Sequence, residues 1–480
     1  MASRPLRSEP AEIVALLSGS GRHDLARYLI QQRWFAAKTR GVGALAVLDW
    51  AVLDHEGPLV LLLLDVDGDV YYLPVAVAAG GTGSVITRAG DEVVIDAHDE
   101  PRFARGVLAA IQAARDVAGR AGLFRFRPTS GWTFPPGPAT EAVRRYRGEQ
   151  SNTSVLLGEA LVLKSLRRPQ PGVNPDLEIT RFLTTRTGFR HSPGLAGWAE
   201  HEAVRESRTL AVLQEFVPNQ GDGWTHVLAM LRERRDAIER SPDPLIEEVH
   251  QLAAITGALH ASLAGAPADP DFAPEPVTRD DIARWAARIA RDLDAADVRR
   301  LLAGSPGSGD AATYLSRALA ALEGLSGTVK IRTHGDYHLG QTLKTRDAFA
   351  IIDFEGEPAR PLAERRRRQA ALRDVAGMLR SLDYAAHAVA LEAPEAERAG
   401  RLDRLTAWEH RARRAFLGGY RDAVTASPVP LVPSSEAALL RACGAFEIEK
   451  ACYELRYELD HRPEWVGIPL AGIRRILAPA

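Results

Sequence analysis

Apolar residues dominate the first hundred positions in short alternating or unbroken stretches. Residues 44–53, 59–65, 70–77 and 93–95 carry the strand signature, and Asp67-Gly68-Asp69 supplies hairpin turn chemistry. Ahead of them the pattern predicts a helix over 24–37, in which Trp34 and Phe35 read as anchors of a local core. A second helix is predicted over 101–117, with Phe103, Val107, Leu108 and Ile111 on one side. After a Pro/Gly-rich loop at 128–138, the pattern predicts a hairpin: strand 142–150, turn Ser151-Asn-Thr-Ser154, strand 155–166. Asn174 caps a helix with Pro175 in its first turn, and 210–213 is a strand leading into Gln214-Glu-Phe-Val-Pro218.

Beyond residue 218 the period changes to that of helices. Leu245, Val249, Leu252, Ile255, Leu259 and Leu263 hold helical spacing, and His260 among them reads as structural. A loop at 264–277 precedes helices at 279–294 and 311–325, and another helix is predicted over 373–384. A linker at 427–433 leads to a last long helix, capped by Ser434 or Ser435 and ending near Pro463. A sheet-rich first part followed by a helical second part is an α+β organisation.

Composition narrows the function classes. A net charge of −2 over 480 residues gives no reason to expect nucleic acid or an anionic membrane as partner. The longest apolar run, 59–64, is too short to span a bilayer, and Met1-Ala-Ser-Arg-Pro-Leu-Arg7 lacks the apolar core of a secretory signal. Cys443 and Cys452 lie nine residues apart on one predicted helix and face opposite ways, so a reducing cytoplasm is expected. The run Glu364-Arg-Arg-Arg-Arg368 reads as a solvated face with local ion pairs.

The chemistry concentrates in Ile331-Arg-Thr-His-Gly-Asp-Tyr-His-Leu-Gly-Gln341 and Ile351-Ile-Asp-Phe-Glu-Gly-Glu-Pro358. Asp336, the amide Gln341 and Asp353 after a short apolar strand follow the order used for phosphoryl transfer by kinase-like folds. In that order the first Asp receives the acceptor's proton, while the amide and the second Asp hold Mg²⁺; Glu355 is a further candidate for the metal. Lys164 sits among apolar strand residues and needs a partner, for which Glu178 on the next helix is the natural choice. A strand Lys paired with a helix Glu is how kinases reach nucleotide phosphates. No G-x-G-x-x-G is present; Ser151, Asn152, Thr153 and Ser154 occupy the place of a phosphate loop. Glu215 and Val217 stand where a hinge would hydrogen-bond adenine. On the last helix, Leu439, Cys443, Phe446, Lys450, Tyr453 and Tyr457 form a stripe that starts apolar and ends polar-aromatic, which by spacing alone reads as core with polar tips.

The sequence resembles the maltokinases, sugar kinases of the aminoglycoside-phosphotransferase and eukaryotic-kinase-like superfamily. The resemblance is carried by Gln32-Arg-Trp-Phe-Ala36, Gly148-Glu-Gln-Ser-Asn-Thr-Ser154, Asn174-Pro-Asp-Leu-Glu178 and His334-Gly-Asp-Tyr-His-Leu-Gly-Gln341. Asp353-Phe-Glu-Gly-Glu-Pro-Ala-Arg-Pro-Leu362, Glu449-Lys-Ala-Cys-Tyr-Glu-Leu-Arg-Tyr457 and Arg462-Pro-Glu-Trp465 are the more specific carriers. It implies a two-lobed kinase-like fold: a cystatin-like cap subdomain at 1–100, an intermediate subdomain at 101–217 completing the nucleotide lobe, and a helical C-lobe at 218–480. It also implies ATP and Mg²⁺ as cofactors and transfer of the γ-phosphoryl group to the anomeric hydroxyl of maltose, for α-glucan and glycogen synthesis. Lys450, Tyr453 and Tyr457 match the family's disaccharide contacts. Trehalose synthase in trans is an implied partner. The competing expectations are another acceptor on the same machinery, such as glucosamine, for which Glu454 or Glu458 would hold the amine, and a non-catalytic partner of trehalose synthase.

Overall fold

This computed structural model describes residues 9–478, apart from 39–40, 55–56, 80–83, 90–91, 147, 149–150 and 234–241. The chain divides into two compact units, Met1–Arg186 with Pro193–Pro218, and Thr187–Ser192 with Asn219–Ala480.

The first unit opens with α1 (Pro10–Ser18) and α2 (Arg22–Gln31). A sheet follows, built from β1 (Leu45–Asp54), β2 (Leu59–Val66), β3 (Asp69–Tyr72), β4 (Val75–Ala79), β5 (Val85–Ala89) and β6 (Glu92–Asp96). Its order is β1-β2-β4-β6-β5, with β3 folded back on β2. The unbroken apolar run of β2 is explained by burial on both faces: Leu59, Leu61 and Leu63 enter one core, Val60, Leu62 and Leu64 another. The second of these cores is closed by α1 and α2. The first is shared with α3 (Pro101–Gln112) and a seven-stranded antiparallel sheet. That sheet runs β7-β8-β12-β13-β11-β10-β9, from β7 (Asp116–Ala118), β8 (Gly122–Pro128), β9 (Val143–Arg145), β10 (Thr153–Leu157), β11 (Leu161–Ser165), β12 (Leu195–Ala203) and β13 (Ser207–Glu215). The helix α4 (Pro175–Arg186) lies between β11 and β12 in the chain.

Four expectations change here. The first helix stops at Gln31, because Trp34 and Phe35 turn off it to pack on Tyr71. The expected strand 70–77 breaks at Pro74, which has no N–H for a ladder. The helix from Pro101 ends at Gln112, and Val117 belongs to β7. Finally, Thr153 and Ser154 are not turn residues but open β10, and the long run 155–166 folds back at Gly158 into two strands. Gly158 has φ +60°, and a Cβ there would lie 1.8 Å from the Ala139 carbonyl oxygen, so only glycine allows that turn.

The second unit is mainly helical: α5 (Gly223–Glu233), α6 (Pro244–Leu263), α7 (Arg279–Asp294), α8 (Ala296–Leu302), α9 (Ala311–Leu322), α10 (Leu362–Arg365), α11 (Leu372–Leu391), α12 (Glu395–Val424), α13 (Glu436–His461) and α14 (Gly467–Leu477). Short strands β14 (Glu275–Pro276), β15 (Val329–Ile331) and β18 (Gln369–Ala370) form one sheet, and β16 (Thr342–Lys344) with β17 (Phe349–Ile351) another. Ser435 stands at the N-cap of α13, but its side chain makes no capping bond. Cys443 and Cys452 are free and buried. His260 is buried between the Tyr420 hydroxyl at 2.8 Å and Asp374 at 3.0 Å.

A buried ion pair ties the two sheets of the first unit together. Arg167, just past β11, donates to Asp96 at 2.5 Å and to the Thr153 hydroxyl at 2.8 Å, and its guanidinium lies 4.7 Å from the Trp34 ring centroid. Tyr28 and His98 also bond Asp96, at 2.8 and 2.7 Å. Removing one partner of such a pair strands the other charge in the interior. Arg167→Met is therefore expected to cost about 3–5 kcal/mol. Arg168→Gln, which loses only the exposed pair with Asp69, should cost about 1 kcal/mol or less. Urea unfolding of both variants checks the contrast.

Candidate active site

In the second unit the chain leaves β15 into a loop whose backbone is held from below. The Asp374 carboxylate, in the first turn of α11, accepts from the His334 amide at 2.7 Å and the Gly335 amide at 3.0 Å. Burial pushes Asp374 up, but the hydrogen bond and charge of His260, with the loop amides, hold it below the ordinary carboxylate range. His334 donates through Nε2 to the Ile352 carbonyl at 2.9 Å, fastening this loop to the segment that carries Asp353. Gly335 has φ +83°, and a Cβ on it would lie 3.3 Å from the Gly356 Cα, so the two loops approach backbone to backbone.

Two of the predicted residues meet on this frame. Gln341 Nε2 lies 3.1 Å from Asp353 Oδ2, and Asp353 takes φ +66°, an uncommon conformation for a residue with a side chain. Turned over, the Gln341 amide would present its oxygen beside that carboxylate. Two such oxygens, with Glu355 two residues on, suit a hard divalent cation. Asp336 is half-buried and its Oδ1 accepts from Lys450 Nζ at 3.0 Å. Lys450 also donates to Glu357 at 3.0 Å. Burial would lower the Lys450 ammonium's pKa, but Asp336 and Glu357 outweigh it and raise it. Burial likewise works against ionised Glu357, yet Lys450 and Arg360 pull its pKa down to about 2. Tyr453 and Tyr457, one and two turns along α13, are 42 % and 43 % exposed. The Lys450 ammonium lies 5.3 Å from the Tyr453 ring centroid, and one face of Tyr457 stacks on His461 at 4.3 Å. Asp336, Glu357, Lys450 and Tyr453 line one cavity, with Arg360 and Phe446.

The first unit holds the other predicted residues. Ser151 is exposed and Asn152 buried in the connection from β9 to β10, while Thr153 is buried with its hydroxyl committed to Arg167. Ser154 pairs across the ladder with Lys164. Lys164 is buried and donates to Asp176 Oδ2 at 3.1 Å. Glu178, the expected partner, is buried two residues further along α4. Asp176 was missed, although it lies within the same Asn174–Glu178 stretch. It occupies the first turn, where the Asn174 side chain accepts from its amide at 2.8 Å and the helix dipole favours a carboxylate. Glu215 closes β13, its amide donating to the Gly194 carbonyl at 2.8 Å, and Val217 follows. Glu357 was the other omission. Its signal was the Glu-Gly-Glu spacing after Asp353.

Comparison with known proteins bears on the fold. The family model described as the maltokinase N-terminal cap domain matches residues 28–99. A glucosamine kinase from Streptacidiphilus jiangxiensis is 29 % identical over 338 residues, 68 % of this chain and 72 % of that protein. One from Mycolicibacterium smegmatis is 28 % identical over 342 residues, 68 % and 78 % of the two chains. The solved structure of a glucosamine kinase in complex with glucosamine, ADP and inorganic phosphate superposes with TM-score 0.65 at 25 % identity, over 95 % of this chain and 98 % of that one. In sequence and fold the chain is similar to these kinases. A sheet-based unit that includes the residues matched by the cap model, followed by a helical unit, is the organisation of a kinase-like fold. No helix among the described residues is long and apolar enough to cross a membrane.

The depressed pKa of Glu357 has a stability consequence for this kinase-like chain. Its ionised form contributes fully above the ordinary glutamate value of 4.5, and the contribution is lost as pH falls toward about 2. The unfolding midpoint of Glu357→Gln should therefore fall less steeply than wild type between pH 4.5 and 2. Parallel urea titrations across that window would show equal slopes if the pair with Lys450 and Arg360 were not formed.

Proposed function

We propose that this protein is an ATP-dependent sugar kinase that phosphorylates the anomeric hydroxyl of maltose. The observation that carries the reading is Lys450: it bridges Asp336 to Glu357 and stands on the same helix as two exposed tyrosines. Asp336 takes the acceptor's proton. An anomeric hydroxyl is more acidic than an ordinary alcohol, so an aspartate suffices as base. Lys450 neutralises two carboxylates beside the incoming hydroxyl and can donate to a ring oxygen or hydroxyl. Tyr453 and Tyr457 offer ring faces for stacking on sugar. On the nucleotide side, Lys164 is the candidate for the phosphates, positioned by Asp176 and α4; Ser151, Asn152 and the strand residue Ser154 border the loop, and Glu215 and Val217 the adenine. The residues fit Mg²⁺, which Gln341 and Asp353 would hold with Glu355, and which would neutralise the phosphate charge. The protein's own share is positioning and electrostatics, because little covalent chemistry falls to a kinase.

Glucosamine is the second reading, supported by the name of the relatives at 28–29 % identity. An amino sugar needs a carboxylate for its ammonium. The two candidates named from sequence are engaged: Glu454 accepts from Arg380 at 2.8 Å, and Glu458 from Arg462 at 2.6 Å. Asp336 and Glu357 already share Lys450, so an ammonium there must displace an ion pair. This favours a neutral acceptor.

A panel of maltose, glucose and glucosamine with Mg-ATP, followed by coupled ADP release and ³¹P NMR of the product, tests the reading. Turnover with maltose giving an anomeric phosphate is the expected result; phosphate on glucosamine alone would replace it. Asp336→Asn should lower kcat by about 10²–10⁴-fold while leaving nucleotide affinity nearly unchanged. Retained turnover in that variant would remove Asp336 from the chemistry.

A further inference from the structure

A second cavity adjoins the one lined by Asp336, sharing Glu364, Gln369 and Arg373 with it. Its walls come from α7, from β15 and from the arginine run that follows Glu364. Six cations, Arg284, Arg288, Lys330, Arg367, Arg368 and Arg373, meet only Glu275, Asp281 and Glu364. Glu449 pairs with Arg288 and Arg373 from the neighbouring cavity; counting it too, six against four leaves an excess of two positive charges. The run that reads in sequence as a solvated face thus lends two arginines to a concave, cationic wall.

Two donors in that wall have nothing to bond. Arg368 Nε and Arg373 Nη1 are buried and make no hydrogen bond among the described residues. Arg368 spends its terminal nitrogens on Glu275 and the Pro270 carbonyl, and Arg373 spends Nη2 on Glu449. Buried guanidinium donors are normally satisfied; these two lie behind the cavity surface and leave Arg368 and Arg373 less fully paired than their carboxylate contacts alone suggest. The excess positive charge of the lining makes an anion the ligand this cavity favours. Guanidinium forks match the oxygens of phosphate better than a point charge does. Trp285 supplies an apolar wall beside them.

We propose that this cavity binds a phosphate group, either free inorganic phosphate or the phosphate of a sugar phosphate ester. The inference does not depend on which sugar the neighbouring site takes. A bound phosphate would compete with Glu364 and Glu449 for Arg288 and Arg373. Those carboxylates belong to the chain of ion pairs that runs through Arg360 and Glu357 to Lys450, so occupancy bears on the acceptor cavity.

The test is isothermal titration of the full chain, saturated with a non-hydrolysable ATP analogue so that the nucleotide's phosphate positions are filled. Inorganic phosphate and glucose 6-phosphate are the probes, at constant ionic strength. At least one should bind with Kd at or below about 1 mM. Tighter binding of glucose 6-phosphate identifies the ester as the ligand, and tighter binding of phosphate identifies the free anion. Arg368→Gln should weaken binding at least about tenfold through loss of a charge-assisted donor. Arg284→Gln with Arg367→Gln, both on the exposed rim, should weaken it without disturbing the fold. No heat with either probe, or affinity unchanged in the rim double variant, overturns the proposal.

Discussion

One buried carboxylate fixes the geometry on which the site depends. Asp374 is removed from water, which is tolerable only because His260 and the amides of His334 and Gly335 surround it with donors. The arrangement leaves the His334-Gly335 backbone a single position. His334 then reaches the Ile352 carbonyl, and the loops carrying Asp336 and Asp353 meet where Gly335 approaches Gly356. A side chain at Gly335 would press them apart. Asp336, Gln341 and Asp353 thus stand on loops whose backbone is held through a carboxylate of α11. Positioning of this kind is what phosphoryl transfer asks of a protein.

Charge is managed differently around Asp336. Lys450 joins Asp336 to Glu357, Arg360 joins Glu357 to Glu364, and Arg288 joins Glu364 to Glu449, which also holds Arg373. Signs alternate along the chain, so each charge is compensated by its neighbours. Buried ion pairs bring little net stability, since desolvation offsets the attraction. Their effect is to lock rotamers: Lys450 can satisfy both carboxylates only from a position between them. The tyrosines on the same helix are left to face outward.

The parts most legible in the sequence were those with a short-range signature. The His334-to-Gln341 spacing and the strand before Asp353 are local, and helices with apolar period, such as α6 and α7, begin at the capping residues Asp243 and Thr278. Choices between near-equal candidates were hidden. That Lys164 reaches Asp176, two residues before Glu178 in the first turn of α4, depends on the pitch of that helix against the sheet. The fold-back at Gly158 was obscured because strand residues continue on both sides of it and the glycine's need for positive φ shows only in its closeness to Ala139. The thirty-residue α12 carries many charges on its exposed face, so its apolar stripe is diluted and no helix was expected there. The partners of Lys450 were likewise invisible, since Asp336 lies 114 residues away and Glu357 93.

The arginine run is the instructive case, because its composition and its position argue for different things. By composition, Arg365–Arg368 in a nearly neutral chain is a solvated face with local pairs, but two of its members pair with carboxylates distant in sequence: Arg366 with Asp271, Arg368 with Glu275. Arg365 turns inward instead and donates to the Glu355 carbonyl at 2.8 Å, bracing the loop that follows Asp353. Arg367 and Arg368 then fall on the wall of the second cavity. One run therefore serves both sides of Glu364, steadying the loop after Asp353 through its first arginine and concentrating positive charge through its last two. A basic stretch beside the site is better understood from which carbonyls and carboxylates its individual members reach than from its summed charge.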